Sequence, residues 1–406
     1  MAVSGKQKEG GRGMSVAEQA KAREEYIISM RREFHSHPEV SLHEFRTAQR
    51  IEEELDKLGI AHKRCGETGV YAELKGDLPG DGVIVLRADI DALPVTETHE
   101  TVYQSQNVGV MHACGHDSHA ACLLGAAQIL AAEKANFGGT IRFFFQPAEE
   151  VGAGAKEFIR DGLLDGAERA FGLHAASDLP VGTIGITPGP NNAAVDYFKI
   201  TVHGINAHVS TPQKGADALY IASQIVVAAQ ALATRLHSPT EPLIIGIGKL
   251  VAGMAYNIVA GEAVIEGTTR TLTPETRASI QQQITALAQQ TALLYGGTAE
   301  AEWVDYTPPL INPADICEEV AAQAEQLPGV TVCPNRPVSL GGDNFAEFQQ
   351  FVPGVYAYLG THDLSQPNTG LPHHNDGFDI GEGALVHGTA LYAQYALWWL
   401  TEGCES

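Results

Sequence analysis

The sequence predicts an α/β protein built on a mostly parallel, mixed sheet with helices on both faces, interrupted by a smaller α+β insert. Three observations carry this expectation. Strand-like and helix-like patterns alternate through the first half of the chain. From about Ala193 they give way to a block of strands with two long helices, and after about Trp303 the alternation returns. Alternation marks βα units and a parallel sheet, whereas a strand block with helices marks an α+β fold. The expected divisions are a polar, mobile tail over 1–16, a larger domain in two parts over 17–192 and 303–406, and an insert over 193–302.

The elements follow in order. From Ala17 to Leu58 the pattern is helical: IISMRREFHSHPEV and EFRTAQRIEEELDKLG are amphipathic, separated at Pro38, and the second stops at Gly59. VYAELKG reads as a strand, and GVIVLRADIDALP as another that runs to Asp91 and stops at Pro94. Residues 117–134 form a helix with Asp117 or Ser118 as its N-cap. GTIRFFFQPAEE is an aromatic-rich strand stopping at Pro147, a Gly-rich turn leads into a helix over 154–162, and RAFGLHAA is a short strand. In the insert, DYFKITVHG, PLIIGIGKLVAG and AVIEGTTRTL read as strands, and 215–236 and 274–295 as helices. FVPGVYAYLG is the last strand and 381–400 the closing helix.

Composition narrows the function. The 406 residues exceed what one core usually serves. With 44% apolar and 18% charged residues the chain reads as folded rather than disordered. Lys and Arg total 26 against 49 Asp and Glu, a formal charge of -23, and there is no basic block. Such a surface repels nucleic acid and anionic membranes. No segment is expected to reach the roughly 20 apolar residues of a membrane span. The N-terminus lacks the apolar run of a secretory signal, and Met14 is an alternative start. The six cysteines follow no framework spacing, which points to a reduced, cytoplasmic chain.

Ligands of open α/β sheets bind at the C-terminal ends of the strands. Here three consecutive strands are expected to stop on chemically capable side chains: Asp89 and Asp91, then Glu149 and Glu150, then His174. HACGHDSHA, at 112–120, adds Cys114 and His116 around a glycine, just before a helix N-terminus. Alone it has three readings: a thiol activated by a histidine, a Cys-X-His ligand pair, or a capping turn with solvated histidines. QPAEE alone is an acidic turn, and the His373–His374 pair of LPHHNDGFD says little alone. Together, Cys114, His116, Glu150, His174 and His374 form a mixed N/O/S donor set from four chain regions. Such a set suits zinc, or manganese, nickel or cobalt. Five donors exceed the usual three of one catalytic zinc, so two divalent ions are the economical solution, with Asp89 and Asp91 orienting the donors. In HACGHDSHA, His112, Asp117 and His119 then fall to orienting, capping or helix-surface roles. G-x-S-x-G, Walker A and G-x-G-x-x-G motifs do not occur.

At these residues the chain resembles a known family. RREFHSHPEVSLHEF with TAQRI, RADIDALP, HACGHDSHA, FQPAEE, GLH and PGP are similar, in order, to the dinuclear-metal amidohydrolases of the aminoacylase type, a metallopeptidase-like group. These include hippurate hydrolases, auxin-conjugate hydrolases and N-acetyl-diaminopimelate deacetylases. The likeness runs from about residue 25 to the C-terminus. It implies a zinc-peptidase-like catalytic domain with an inserted lid or dimerisation domain. It implies ligation of two ions by Cys114, His116, Glu150, His174 and His374, the last chosen over His373 because it directly precedes an Asn. It makes Glu149 the general base and later acid. In the lid, GINAHVS supplies His208 to polarise the scissile carbonyl, often across a homodimer, while Asn257 and Arg270 hold the substrate carboxylate.

Two departures bear on substrate identity. Gln213 stands where many relatives carry a second histidine, and GGDNF, with Asp343, stands where an acidic pair is common. The expected activity is hydrolysis of the amide of an N-acyl amino acid or small conjugate by a metal-activated water. The alternatives are a metal-dependent carboxypeptidase or dipeptidase of the same fold, a Cys114 nucleophile, and a non-catalytic metal- or peptide-binding relative. An intact Glu149 speaks against the last, since a binder has no need of a base.

Overall fold

The computed structural model describes residues 13–405, so 1–12 of the expected tail lie outside the described residues. The chain opens with three helices, α1 (Val16–Ala22), α2 (Glu24–Ser36) and α3 (Phe45–Leu58). Ser15 and Glu18 cap α1 reciprocally, so helix begins inside the segment expected as tail. Gly59 ends α3 in the left-handed conformation, as its position predicts.

Strands β1 (Ala61–Cys65), β2 (Gly69–Lys75) and β3 (Leu78–Asp89) follow, then α4 (His116–Ala132), β4 (Gly138–Gln146), α5 (Gly154–Arg160), β5 (Arg169–Pro180), β6 (Thr183–Gly185) and β7 (Gly189–Asn192). The second sheet comprises β8 (Ala194–His203), β9 (Leu243–Ala252), β10 (Glu262–Thr271) and β11 (Thr298–Thr307), with α6 (Ala218–Ala231) and α7 (Pro274–Leu294) between them. The chain returns through β12 (Leu310–Asn312), α8 (Ala314–Ala324), β13 (Thr331–Cys333), α9 (Phe345–Gln349), β14 (Gly354–His362) and α10 (Ala384–Thr401).

The main sheet has the order β1-β2-β4-β3-β5-β14-β6-β13. Its central run β4-β3-β5-β14 is parallel, and antiparallel pairs lie on either side, as the mixed-sheet expectation requires. Alternate residues of β3 enter different cores. Ile84, Leu86 and Ala88 pack with α2, α3, α4 and α10, whereas Val85 packs with α5 and α9. That two-residue period places helices on both faces of the sheet.

The insert has its own apolar core of Phe198, Ile200, Ile221, Ile225, Ile265, Ile280 and Ile284 among others. Its four strands are antiparallel, in the order β11-β8-β10-β9. β11 continues to Thr307, beyond the expected boundary at residue 302. Where the chain leaves and re-enters the main domain, β7 and β12 pair antiparallel.

Three local expectations change. The N-cap of α4 is Gly115, not Asp117 or Ser118, because the turn there needs a left-handed residue. β5 carries His174 within its length and not at its end, since it continues beside β14 past the point where β3 leaves it. Ala218–Leu236, which ends in a π-turn, is long and apolar enough by length and composition to cross a membrane, contrary to expectation. One face of it, with Ile221, Ala222, Ile225 and Ala229, is buried against the insert sheet.

A buried ion network ties the helical layer together. The Arg31 side chain, on α2, is fully buried, 2.8 Å from Asp117 on α4 and 2.7 Å from Asp379 before α10. Removing one member of a buried network leaves its partners charged without compensation, at about 3–5 kcal/mol. Arg31→Met should therefore lower the free energy of the main unfolding transition by an amount of that order, seen as a lower urea midpoint. An unchanged midpoint would show that the network contributes little.

Candidate functional site

The sequence places its chemistry where the central strands end. β3 stops at Asp89, two residues before Asp91, β4 stops at Gln146 just before Glu149 and Glu150, and α4 starts at His116. Cys114 and His116 meet because Gly115 between them has φ +88, and a Cβ there would lie 2.9 Å from that of Ala175 on β5. The loop before α10 brings in His374, whose N–H donates to the Ala113 carbonyl at 2.8 Å.

These segments gather the expected donors. Cys114 Sγ lies 3.6 Å from His174 Nε2. Glu150 Oε1 lies 3.3 Å from His374 Nε2 and 4.0 Å from His116 Nε2. Ligand atoms of Cys114, His116 and His174 lie within 4.8 Å of one another, as do those of Cys114, Glu150 and His374. Cys114 belongs to both groups. His373 instead turns its ring toward His174 and Phe378. Burial, helped by neighbouring His119, pushes His373 down to about 4.

Backbone and carboxylate acceptors set the histidine tautomers. His116 Nδ1–H donates to the Asp91 carbonyl at 2.9 Å and its Oδ1 at 3.1 Å, which frees Nε2. His174 Nδ1–H donates to the Ala175 carbonyl at 2.7 Å, with the same result. Asp91 Oδ2 also accepts from Ser41 Oγ at 2.7 Å and from the Glu150 N–H at 3.0 Å. One carboxylate thus orients an imidazole and the backbone of a carboxylate donor.

Asp89 is fully buried between Arg87, 2.6 Å away, and His119, whose Nδ1–H donates to it. His119 Nε2 in turn accepts from the Ala175 N–H at 2.8 Å, so this histidine links β3 to β5 and does not lie on a helix surface. Burial opposes charge on His116, but Asp89 and the Cys114 sulfur raise its pKa well above the usual histidine value. Burial pushes the Cys114 thiol well up, and Glu150 adds to the effect. Asp117 faces Arg31 and His35, at 2.8 and 2.7 Å, and serves the helical network.

Glu149 Oε1 accepts from the Asn344 N–H at 3.1 Å. Burial, with Asp343 and Glu150 nearby, raises its pKa well above the ordinary carboxylate range. Asp343 is buried against Tyr356 and the Phe345 N–H, so the departure from an acidic pair leaves one acid in place and one amide, Asn344.

A cavity of about 690 Å³ opens onto Cys114, Glu149, Glu150, His174 and His374, with Arg270 from β10 on its wall. Arg270 is half-buried, and its guanidinium makes no hydrogen bond or ion pair among the described residues. Burial, partly offset by Asp196, lowers its pKa. His208 and Asn257 do not line this cavity. His208 is exposed and bonded to Ser210, and Gln213 is exposed nearby. Sequence reasoning missed Arg87 and Arg336. Arg87 ties Asp89 to Gln146 and Asn344 at the centre of the sheet. Arg336 stacks 3.8 Å from the Tyr358 ring centre on the cavity wall. Only three-dimensional contacts between segments remote in the chain identify either one.

The donors fit divalent ions. His116 Nε2 and Glu150 Oε1 are buried and lack hydrogen-bond partners among the described residues. Each such atom costs about 1–3 kcal/mol unless something satisfies it. A cation among thiol, imidazole and carboxylate donors does so, and this donor chemistry suits zinc-type metals.

Known proteins share this frame. Residues 85–398 match the model for peptidase family M20/M25/M40. An N-acetyl-L-cysteine deacetylase of Bacillus subtilis is 39% identical, over 89% of this chain and 85% of its own. Thermostable carboxypeptidase 2 of Saccharolobus solfataricus is 36% identical, over 92% and 95%. The crystal structure of a dinuclear metal binding peptidase of the M20 family from Bacillus subtilis superposes with a TM-score of 0.82 at 35% identity, covering 94% of this chain and 99% of that one.

The Asp91 contacts generate a prediction. Asp91→Asn should weaken metal affinity by about 10–100-fold, the usual cost of losing a partner that orients a ligand. Competition with a chelator measures it, and unchanged affinity would show that Asp91 does not set the His116 donor.

Proposed function

The chain belongs to peptidase family M20/M25/M40, and from that membership we propose that its cavity hydrolyses the amide of an N-acyl amino acid or small amino-acid conjugate. It is a metal-dependent amidohydrolase. The observation that carries the substrate reading is the meeting of a converged donor set, the Glu149–Glu150 pair and an unpartnered arginine in one cavity. Its volume falls in the range of small-molecule sites, roughly 300–1,000 Å³.

Two divalent ions, held by Cys114, His116, Glu150, His174 and His374, would polarise the scissile carbonyl and acidify a water. Glu149 takes the proton of that water and later delivers it to the leaving amine. The Asn344 N–H occupies Glu149 Oε1, which leaves the second oxygen for the proton. A raised pKa suits a group that must both accept and donate near neutrality. Arg270 holds the substrate carboxylate as a fork, and its lack of a partner leaves both edges for that task.

His208 and Asn257 act from a second copy in this reading. The insert is a lid and a dimerisation surface. Support comes from the edge strand β9 and the loop after it, where Met254 is 84% and Tyr256 97% exposed. An apolar, unpaired edge of this kind favours association. No disulfide joins the cysteines among the described residues, which supports a reducing, cytoplasmic setting. A carboxypeptidase reading has support from the carboxypeptidase relative and needs the same carboxylate clamp.

Glu149→Gln should leave metal content near normal and cut kcat by about 10²–10⁴, the scale of acid–base catalysis. Near wild-type turnover would overturn the assignment. A panel of acetyl, benzoyl and indole-acetyl amino acids beside dipeptides separates the two substrate readings. Activity that survives chelators and dies only on alkylation would favour a Cys114 nucleophile. In sedimentation, a fully active monomer would refute a His208 acting from a second copy.

A further inference from the structure

The carboxylate pair at Glu149–Glu150 stands on an unusual piece of backbone. Ala148, directly before it, has φ +52, a left-handed conformation that side chains rarely adopt. Ala148 is fully buried. The chain then turns sharply, the Ala148 carbonyl accepting from Ala153 at 3.1 Å and Gly154 at 3.4 Å. A Cβ at Gly154 would lie 1.7 Å from the Pro147 carbonyl oxygen, so the turn admits no side chain there. Such strain persists only where surrounding contacts hold it.

The contact that holds it comes from the loop between α2 and α3. Glu44 is fully buried. Its Oε1 accepts the Ala148 N–H at 2.8 Å, and its Oε2 accepts from Thr68 Oγ at 2.7 Å. A buried carboxyl is costly, and burial pushes this one up to about 7. The same loop anchors itself to the strand end, Val40 bridging Ala92, and places Ser41 against Asp91. Three acceptors therefore clamp consecutive residues: Glu44 holds Ala148, Asp91 holds the Glu150 N–H, and Glu149 itself holds the Asn344 N–H.

We propose that Glu44 is a positioning residue that locks Ala148 in its left-handed conformation and thereby aims Glu149 and Glu150, from adjacent positions, into one cavity. It touches neither substrate nor donors and acts through the backbone. This rests on the reading of Glu149 as proton carrier. Adjacent residues of an extended strand point to opposite faces, so a turn at Ala148 is what lets both carboxylates face one cavity.

The test compares Glu44→Gln, Glu44→Leu and Glu44→Asp in the metal-loaded protein, with Glu149→Gln in parallel. Gln keeps an acceptor for the Ala148 N–H, and the Thr68 hydroxyl rotates to accept. It should retain wild-type kcat. Leu removes the acceptor, and Asp, one methylene shorter, falls short of it. Both should lower kcat by about 10²-fold, the cost of a misplaced catalytic group, with KM little changed and two ions retained. Hydrogen exchange gives a readout independent of turnover: amides over 147–150 should exchange faster with Leu and Asp but not with Gln. Asp keeps the charge and nearly the volume, so it reports even if Leu fails to fold. Wild-type kcat and exchange in the Asp variant, or equal damage from Gln and Asp, would overturn the proposal. If Glu149→Gln turns over normally, the proton-carrier reading fails instead.

Discussion

The constraint on which this site depends is the crowding of carboxylates at the ends of β3 and β4. Asp89, Asp91, Glu149, Glu150 and Asp343 are buried or half-buried within one small region. Like charges that close cannot all ionise without compensation. Arg87 compensates part of it, bonded to Asp89 and 3.5 Å from Asp343. His116 and His119 take two more contacts with Asp89 and Asp91. Two of these buried atoms, His116 Nε2 and Glu150 Oε1, still lack hydrogen-bond partners among the described residues, and bound cations would satisfy both them and the charge. The fold brings these acids together because parallel strands end side by side, and Arg87 with the two histidines offsets part of their charge.

The same geometry separates the roles of adjacent residues. Asp91 fixes His116 and the Glu150 backbone, Glu44 fixes Ala148, and Asn344 reaches Glu149 from a loop far along the chain. The insert contributes Arg270 to the cavity wall through β10, while His208 and Asn257 lie off it. A single copy therefore presents Glu149, Glu150 and Arg270 to one cavity. The paired β7 and β12 are the short joint between the two sheets, where a shift of the insert would alter access to the cavity.

Much of this was legible in the sequence. The candidate donors are chemically capable types in recognisable motifs, and Glu150 follows a strand end that hydrophobic patterning locates. The alternation of β3 and the stop of α3 at Gly59 follow from local chemistry. Other features were illegible because their partners are remote. Arg87 meets Asn344 across 257 positions, and His35 meets Asp117 across 82. Asp117 looked like a cap because aspartate at a helix start has two uses, and only Arg31 decides between them. Glu44 sits in a motif but shows no sign of its role until Ala148 is seen to be left-handed. The length of β5 depends on its neighbour β14, which patterning within RAFGLHAA does not reveal.

The most direct measurement of the central claim is anomalous diffraction at a metal edge from crystals of the protein loaded with manganese. Two peaks are expected, both bounded by the set Cys114, His116, Glu150, His174 and His374, with Cys114 adjoining each. A single peak, or a peak held by Asp89 and His119 with Glu150 and His374 left out, would contradict it.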